Sequence, residues 1–343
     1  MCSLLIGDYA PIDLSDGCGM NLLNLSSRAW DPALLAATAP GLAERLGSSP
    51  APSHARVGSI APYFTATYGL PAAAMAIAWS GDNPCSVAGL GLSAPGDIAV
   101  SLGTSDTMFG ILPSPTPGLE GHVFVNPMDP KSFMAMLCYK NGSLTRERVR
   151  DASAPGQDWA AFNAALAATP PGNGGHFGFF IDAPEITPAI PVAGTRRFTG
   201  GGARTPAFPS PAHEARAVVE GQFLSMRAHG ESIGITAPRR IFATGGASSK
   251  AAVLQVLADV FGAPVYTAEQ SDSASLGAAV RALHGASIAA GGGGFVPVES
   301  LRGSGGSAAG LKCAAQPRAE ATAVYTKLLP TYLAAEKLVA AER

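Results

Sequence analysis

Asp97-Ile98-Ala99-Val100-Ser101-Leu102-Gly103-Thr104-Ser105 is an apolar run that ends in a glycine and two hydroxyls. The design returns at Ile241-Phe242-Ala243-Thr244-Gly245-Gly246-Ala247-Ser248, and a third apolar run, Ala74 to Trp79, leads into Gly81-Asp82-Asn83-Pro84. Each reads as a buried strand opening into small or polar residues. Open α/β sheets bind ligands just beyond the carboxyl ends of such strands. A carboxylate at one end and glycine-bearing turns at two others suit phosphoryl transfer. Asp82 would take the proton of an acceptor hydroxyl, and backbone amides would cradle phosphates.

Working outward, Val100 to Leu102 and Met108 to Leu112 flank Gly103-Thr104-Ser105 as a hairpin. Phe133 to Tyr139 is a further strand, followed by Asn141-Gly142-Ser143 and a charged helix. Trp159, Phe162 and Leu166 share one face of a helix over 159–168, and 170–175 is a loop. From Pro211 the pattern is α/β: a helix carrying Val219, Phe223 and Met226, a strand at 240–243, and a second helix ending at Gly262 and Pro264. A short strand at 265–267 and a third helix with Leu276, Val280 and Leu283 follow. Residues 286–310 are rich in Gly, Ala and Ser and are expected to be disordered, and a last helix spans 322–341.

Upstream, Asp31-Pro32 caps a helix over 33–46, and 47–53 reads as a linker. Met1 does not read as a domain start, because the chain reaches Asp8-Tyr9-Ala10-Pro11 with no helix or strand before it. The expected division is 1–90, 91–285, a low-complexity linker over 286–317 and a terminal helix over 318–343.

The 343 residues suffice for two domains, and 47% hydrophobic content permits a sizeable core. With a net charge of −2, the chain lacks the basic stripe of a nucleic-acid binder. Arg146, Arg148 and Arg150 come nearest to one, but interleaved with Glu147 and Asp151 they read as a solvated helix face. Five dispersed cysteines without a C-x-x-C pair argue against disulfides or zinc and for a reducing compartment, so the expected location is cytoplasmic. No histidines stand at metal-ligand spacing, and no apolar run reaches membrane-spanning length.

Each motif has a plainer reading beside the chemical one. Gly81-Asp82-Asn83-Pro84 is good turn chemistry by composition alone, although Asp82 could serve as general base and Asn83 could bond a neighbouring substrate hydroxyl. Gly103-Thr104-Ser105 could be an ordinary hairpin turn. Gly245-Gly246-Ala247-Ser248 stands between strand and helix, where amides favour anions, but it is neither a P-loop nor a dinucleotide fingerprint. Asp13 and Asp16 could form a carboxylate pair, but the stretch Asp13 to Gly17 reads as a turn, His176 as a lone loop histidine and Cys85 as a packing residue. Ser101, Ser105, Asp106 and His122 do not make a hydrolase, since no G-x-S-x-G elbow exists.

Taken in order, Gly81-Asp82-Asn83, Ser101 to Ser105 and Thr244 to Ala247 resemble the FGGY carbohydrate kinases. Further matching stretches are Pro11-Ile12-Asp13 through Asp16-Gly17, Gly19 to Leu23, Asn141-Gly142-Ser143-Leu144, Gly172 to Gly175 and Val256 to Tyr266, so the resemblance covers nearly all of residues 5–285. It implies an actin-like, ribonuclease H-like α/β fold, with ATP accompanied by Mg2+ and D-xylulose as substrates. Asp82 matches the catalytic base and a sugar contact, and Asn83 a sugar contact. The turn Gly103, Thr104, Ser105 matches the one facing the terminal phosphates, while Trp159, Gly245, Gly246, Ala247 and Lys250 fall at nucleotide positions. Lys250 departs from the family, which usually has a polar Asn there.

The larger departure concerns the family's opening D-x-G-T-like loop, whose Asp positions the metal on ATP. Gly7-Asp8-Tyr9-Ala10 does not match it. The expectation is therefore a second kinase lobe preceded by the tail of a first, with most of that first lobe missing. Two functions follow: a pentulose kinase, with other FGGY sugar kinases as runners-up, or a non-catalytic nucleotide-binding remnant or split half that needs a partner.

Overall fold

The computed structural model of the chain describes every residue except 155, 157, 269–271 and 299–310. Ile98, Ala99, Val100 and Leu102 are consecutive or nearly so and all fully buried. A strand without polar alternation needs cover on both faces, so it belongs at the centre of a sheet. It is β1 (Asp97–Leu102), joined by β2 (Asp106–Leu112), β3 (His122–Val125), β4 (Phe133–Tyr139), β5 (Arg240–Thr244), β6 (Val265–Ala268) and β7 (Leu311–Ala315). The seven strands lie in the order β7-β6-β5-β1-β2-β4-β3. β5 is parallel to both β1 and β6, and the remaining pairs are antiparallel.

The helices that matter for the site are α1 (Leu14–Gly19), α2 (Asp82–Leu90), α3 (Ser143–Ser153), α4 (Trp159–Ala168), α5 (Pro211–Ser232), α6 (Ala251–Phe261), α7 (Ser273–Ala290) and α8 (Ala319–Ala340). α6 ends where Gly262 turns left-handed at φ 67°, ahead of Pro264, as its sequence predicts. A smaller antiparallel sheet of Phe177–Ile181, Gly194–Phe198 and Arg204–Thr205 packs Phe177 and Phe179 against Tyr332 of α8, with Phe198 in contact with both phenylalanines.

Several expectations are corrected. The apolar run before Asp82 does not belong to the large sheet. Met75–Ile77 pairs only with Arg56–Ser59 in a two-stranded ribbon. A helix, Cys2–Ile6, does precede Asp8. The helix over 33–46 is two, Pro32–Thr38 and Leu42–Leu46, because Pro40 cannot continue the first and Gly41 turns left-handed at φ 70°. Residues 47–53 are not a free linker: Ala51 bridges Asp13, and Ser53 is buried. Residues 286–290 belong to α7, while 299–310 lie outside the described residues.

The third helix forms as expected but turns another face inward. Leu276 and Leu283 are 39% and 57% exposed, whereas Gly277, Arg281, His284, Gly285 and Ile288 are buried. The reason is a backbone-to-backbone crossing. A Cβ on Gly277 would stand 1.7 Å from the Cys85 carbonyl oxygen, and one on Gly89 would stand 1.9 Å from that of Ser273. Only a face of small residues lets α2 and α7 approach so closely.

Arg146 is likewise not on a solvated face. Its guanidinium is fully buried and grips Asp106 through Nη1–Oδ2 at 2.6 Å and Nη2–Oδ1 at 2.9 Å. Gln222 and the Ser143 hydroxyl accept its other Nη hydrogens at 2.8 Å. Asp106 opens β2 directly after the Gly103-Thr104-Ser105 turn, so this ion pair sits at the root of that turn.

Candidate active site

The parallel register of β5 on β1 pairs Ala243 with Val100 and Thr244 with Ser101. The turns that follow, 103–105 and 245–248, therefore emerge side by side. Gly245 makes that possible. Its φ is 82°, and a Cβ there would lie 2.6 Å from the Leu102 carbonyl oxygen, so neither the conformation nor the contact admits a side chain. Gly246 is different: nothing lies within 4 Å of its would-be Cβ, and its φ is ordinary. The chain runs through a 3-10 turn, Gly246–Ser249, before α6 begins at Ala251.

Between the turns opens a cavity of about 480 Å3 lined by Gly103, Thr104, Trp159, Gly246, Ala247 and Lys250, together with Leu102, Ser143 and Glu147. Six of the residues singled out in the sequence thus face one space, although they span 147 positions from Gly103 to Lys250 (250 − 103). Ser105 and Gly245, both exposed, are not in the lining. Ser143 lies within a quoted motif but drew no role of its own, and its amide donates to the Gly103 carbonyl at 2.9 Å. Glu147 carried no sequence signal. It reaches the cavity because it stands one helical turn after Ser143 on α3.

The wall is chemically divided. On one side are the exposed Thr104 hydroxyl and the Gly103 turn, groups that can donate to an oxyanion. On the other is the Trp159 indole, edge-on to Phe162, with the Arg150 guanidinium 4.6 Å and the Lys250 ammonium 5.3 Å from its ring centre. Both cations lie over the indole ring in cation–π contact, and Lys250 brings its positive charge to the cavity wall.

Asp82 and Asn83 lie apart from this lining, at the start of α2. Gly81 is the N-cap and Asp82 the first helical residue, a position where negative charge meets the positive end of the helix. Pro84 is tolerated because amides of the first turn have no partner within the helix. Asp82 is exposed, and its Oδ1 accepts from the Asn83 amide at 2.7 Å and the Asn83 side chain at 3.1 Å. Thus Gly81-Asp82-Asn83-Pro84 is a helix start, not a free-standing turn, and it presents one carboxylate and one carboxamide together.

Behind it stands Asp16, which is more than the turn residue its sequence suggests. Asp16 Oδ1 accepts from the Gly81 amide at 2.8 Å. Burial, then the nearby Asp13 charge, raises the Asp16 carboxyl above its ordinary range, with the Gly81 amide pulling the other way. Asp13 is no loose turn residue either. It caps α1 through the Asp16 amide and is 1% exposed. Among the described residues no group of three or more His, Cys, Asp or Glu side chains is arranged to hold a metal ion. No helix among them is long and apolar enough to cross a membrane.

Residues 98–286 match the C-terminal domain of the FGGY family of carbohydrate kinases. The chain belongs to that family. It is similar to the xylulose kinase of Mus musculus, 49% identical over 98% of this chain and 59% of the mouse protein. Xylulose kinase 2 of Arabidopsis thaliana is 50% identical over 88% of this chain and 55% of its own length. The chain thus spans less than two thirds of these FGGY relatives. Among solved structures, the ligand-bound xylulose kinase of Lactobacillus acidophilus superposes with a TM-score of 0.78 at 21% identity, covering 99% of this chain and 66% of that one. The glycerol kinase of Plasmodium falciparum with ADP gives 0.73 at 12% identity, covering 100% and 66%. At such identity the likeness shows the fold, which is the expected actin-like α/β fold of these kinases.

Proposed function

We propose that this chain supplies the nucleotide cavity and the catalytic carboxylate of an ATP-dependent pentulose kinase that converts D-xylulose to D-xylulose 5-phosphate. The observation that carries the reading is the single cavity in which Gly103 and Thr104 face Gly246, Ala247, Trp159 and Lys250. The near-50% identity to xylulose kinases supports the choice of sugar. In this reading the hydroxyl oxygen of the open-chain sugar attacks the γ-phosphorus of ATP and Asp82 takes its proton. The bond to the β-phosphate oxygen breaks, and ADP leaves. Asn83 holds a neighbouring sugar hydroxyl, the Gly103–Ser105 turn faces the phosphates, and Trp159 with Gly246 and Ala247 holds the adenosine. Mg2+ bound to the nucleotide would lower the charge repulsion of the phosphates. Among the described residues no group of three or more His, Cys, Asp or Glu side chains is arranged to hold the ion apart from the nucleotide.

Phosphoryl transfer needs both walls of a cleft to exclude water and hold the phosphates. We therefore expect ADP release with D-xylulose from this chain joined to the N-terminal portion of the mouse relative that it does not match, and little from the chain alone. A coupled ADP-release assay on both preparations checks this. Failure of both to turn over D-xylulose, with ATP still bound, would favour the nucleotide-binding remnant.

Gly246→Val tests the nucleotide assignment. Because space around Gly246 is open and its φ is ordinary, the fold should tolerate the side chain, which would project into the cavity. We expect ATP affinity measured by calorimetry to fall roughly 10-fold or more, a loss of about 1.4 kcal/mol, with sugar binding kept. Unchanged affinity would make the turn purely structural.

A further inference from the structure

Asp82 has no tertiary anchor of its own. Among the described residues its carboxylate takes hydrogen bonds only from Asn83, so the backbone leading into it decides where it stands. That backbone is held at several of its polar atoms. The Ala78 carbonyl accepts from Arg281 Nη2 at 3.2 Å, the Ser80 carbonyl from Cys85 Sγ at 3.4 Å, and the Gly81 amide donates to Asp16. The Ser80 hydroxyl donates to Asp13 Oδ2 and lies 2.8 Å from the Ser15 hydroxyl.

Asp13 is the centre of this arrangement. Capping α1 uses Oδ1 alone, through the Asp16 amide at 2.8 Å. Oδ2 instead gathers three hydroxyls from separate segments: Ser15 at 2.8 Å, Ser53 at 2.5 Å and Ser80. Arg281 of α7 stands 3.8 Å behind it and also holds the Ser53 carbonyl at 2.8 Å. All five residues are at most 6% exposed. A buried carboxylate is tolerated only when its lone pairs are filled. Here one of the donors that fill them, the Ser80 hydroxyl, comes from the segment that ends in Asp82.

We infer that Asp13 is a positioning residue, whose hub of Ser15, Ser53, Ser80 and Arg281 fixes the 78–81 backbone and so sets the place of Asp82. The inference rests on the reading of Asp82 as the proton acceptor. Asp13 acts through Ser80 and touches neither sugar nor nucleotide. Asp13→Asn keeps the size but puts an amide where hydroxyl donors converge. Ser80→Ala removes only one of the donors.

The test uses the full chain with 5-fluorotryptophan. Trp79, 49% exposed and next to Ser80, reports on the segment, while Trp30 and Trp159 serve as controls. In Asp13→Asn and in Ser80→Ala we expect the Trp79 fluorine signal to shift or broaden alone. Amide exchange at Gly81 and Asn83 should quicken at least roughly 10-fold, with a single cooperative melt retained. In whichever preparation releases ADP, kcat should fall about 10- to 100-fold at unchanged KM for ATP, the response to a misplaced catalytic group. The double variant should lose little more than Asp13→Asn alone, because both act through one bond.

A lower melting temperature with neither local change at 79–83 nor a lower kcat would reduce Asp13 to a structural residue and overturn the inference. Quickened exchange at full kcat, while Asp82→Asn abolishes turnover, would overturn the positioning role and leave Asp82 as the base. Full turnover by Asp82→Asn would overturn both.

Discussion

Asp82→Asn is expected to lower kcat for D-xylulose phosphorylation by about two to four orders of magnitude, the range that a positioned general base contributes. The substitution is conservative in shape. The carboxamide oxygen can still accept from the Asn83 amide, as Oδ1 does now at 2.7 Å. The side chain is exposed, so no packing is lost. Replacing a charge at the helix N-terminus should cost stability by only about 0.3–1 kcal/mol. What disappears is the basic lone pair that would take the hydroxyl proton. Asp82 is not in the lining of the nucleotide cavity, so KM for ATP should stay where it is. Steady-state kinetics in both substrates checks this. Near-normal turnover would remove Asp82 from the chemistry and return it to the role of a helix-start residue.

The largest stability effect is expected at Asp106 and Arg146. Both side chains are fully buried, and the guanidinium meets the carboxylate in a two-pronged contact. Removing one partner leaves the other charge in a medium that cannot solvate it, which costs about 3–5 kcal/mol. Asp106→Asn should therefore lower the urea midpoint markedly. Arg146→Met with Asp106→Leu should recover much of the loss, because no uncompensated charge remains. The nearby turn makes the effect more than global. Asp106 follows Ser105 directly, and Arg146 also bonds the Ser143 hydroxyl at the cavity wall. The single variant, if folded, should bind ATP more weakly as well. A cost below about 1 kcal/mol would show that the pair is solvated or replaceable.

How much of this was legible beforehand differs between segments, for reasons their residues make plain. The strands at 97–102, 133–139 and 240–244 and the helices at 159–168, 211–232 and 251–261 carry their signals locally, in apolar period and in stop residues such as Gly262 and Pro264. The glycine turns could be found the same way, because a strand that ends in Gly with hydroxyls is a local pattern. That these turns share one cavity with Trp159 and Lys250 was implied only by the resemblance of the ensemble, since no single motif contains it.

Other features depend on partners distant in the chain. The sequence by itself determined the α/β alternation, the strand-end motifs and the family to which they point, because those rest on neighbours within one turn or one strand. Tertiary structure alone decided that Arg146 is buried, that α7 turns Gly277 and Arg281 inward instead of Leu276 and Leu283, and that Asp13 is the centre of a buried hub. A charged residue in a helix reads as solvated unless a counter-charge awaits it, and Asp106 lies 40 positions before Arg146. A leucine stripe reads as buried unless a closer surface exists, and here glycines on two helices 188 positions apart (277 − 89) provide one. Asp13 reads as a turn residue until Ser53, Ser80 and Arg281 converge on it from three other segments. Burial and charge pairing are settled by what folds back against a residue, and local pattern holds no record of that.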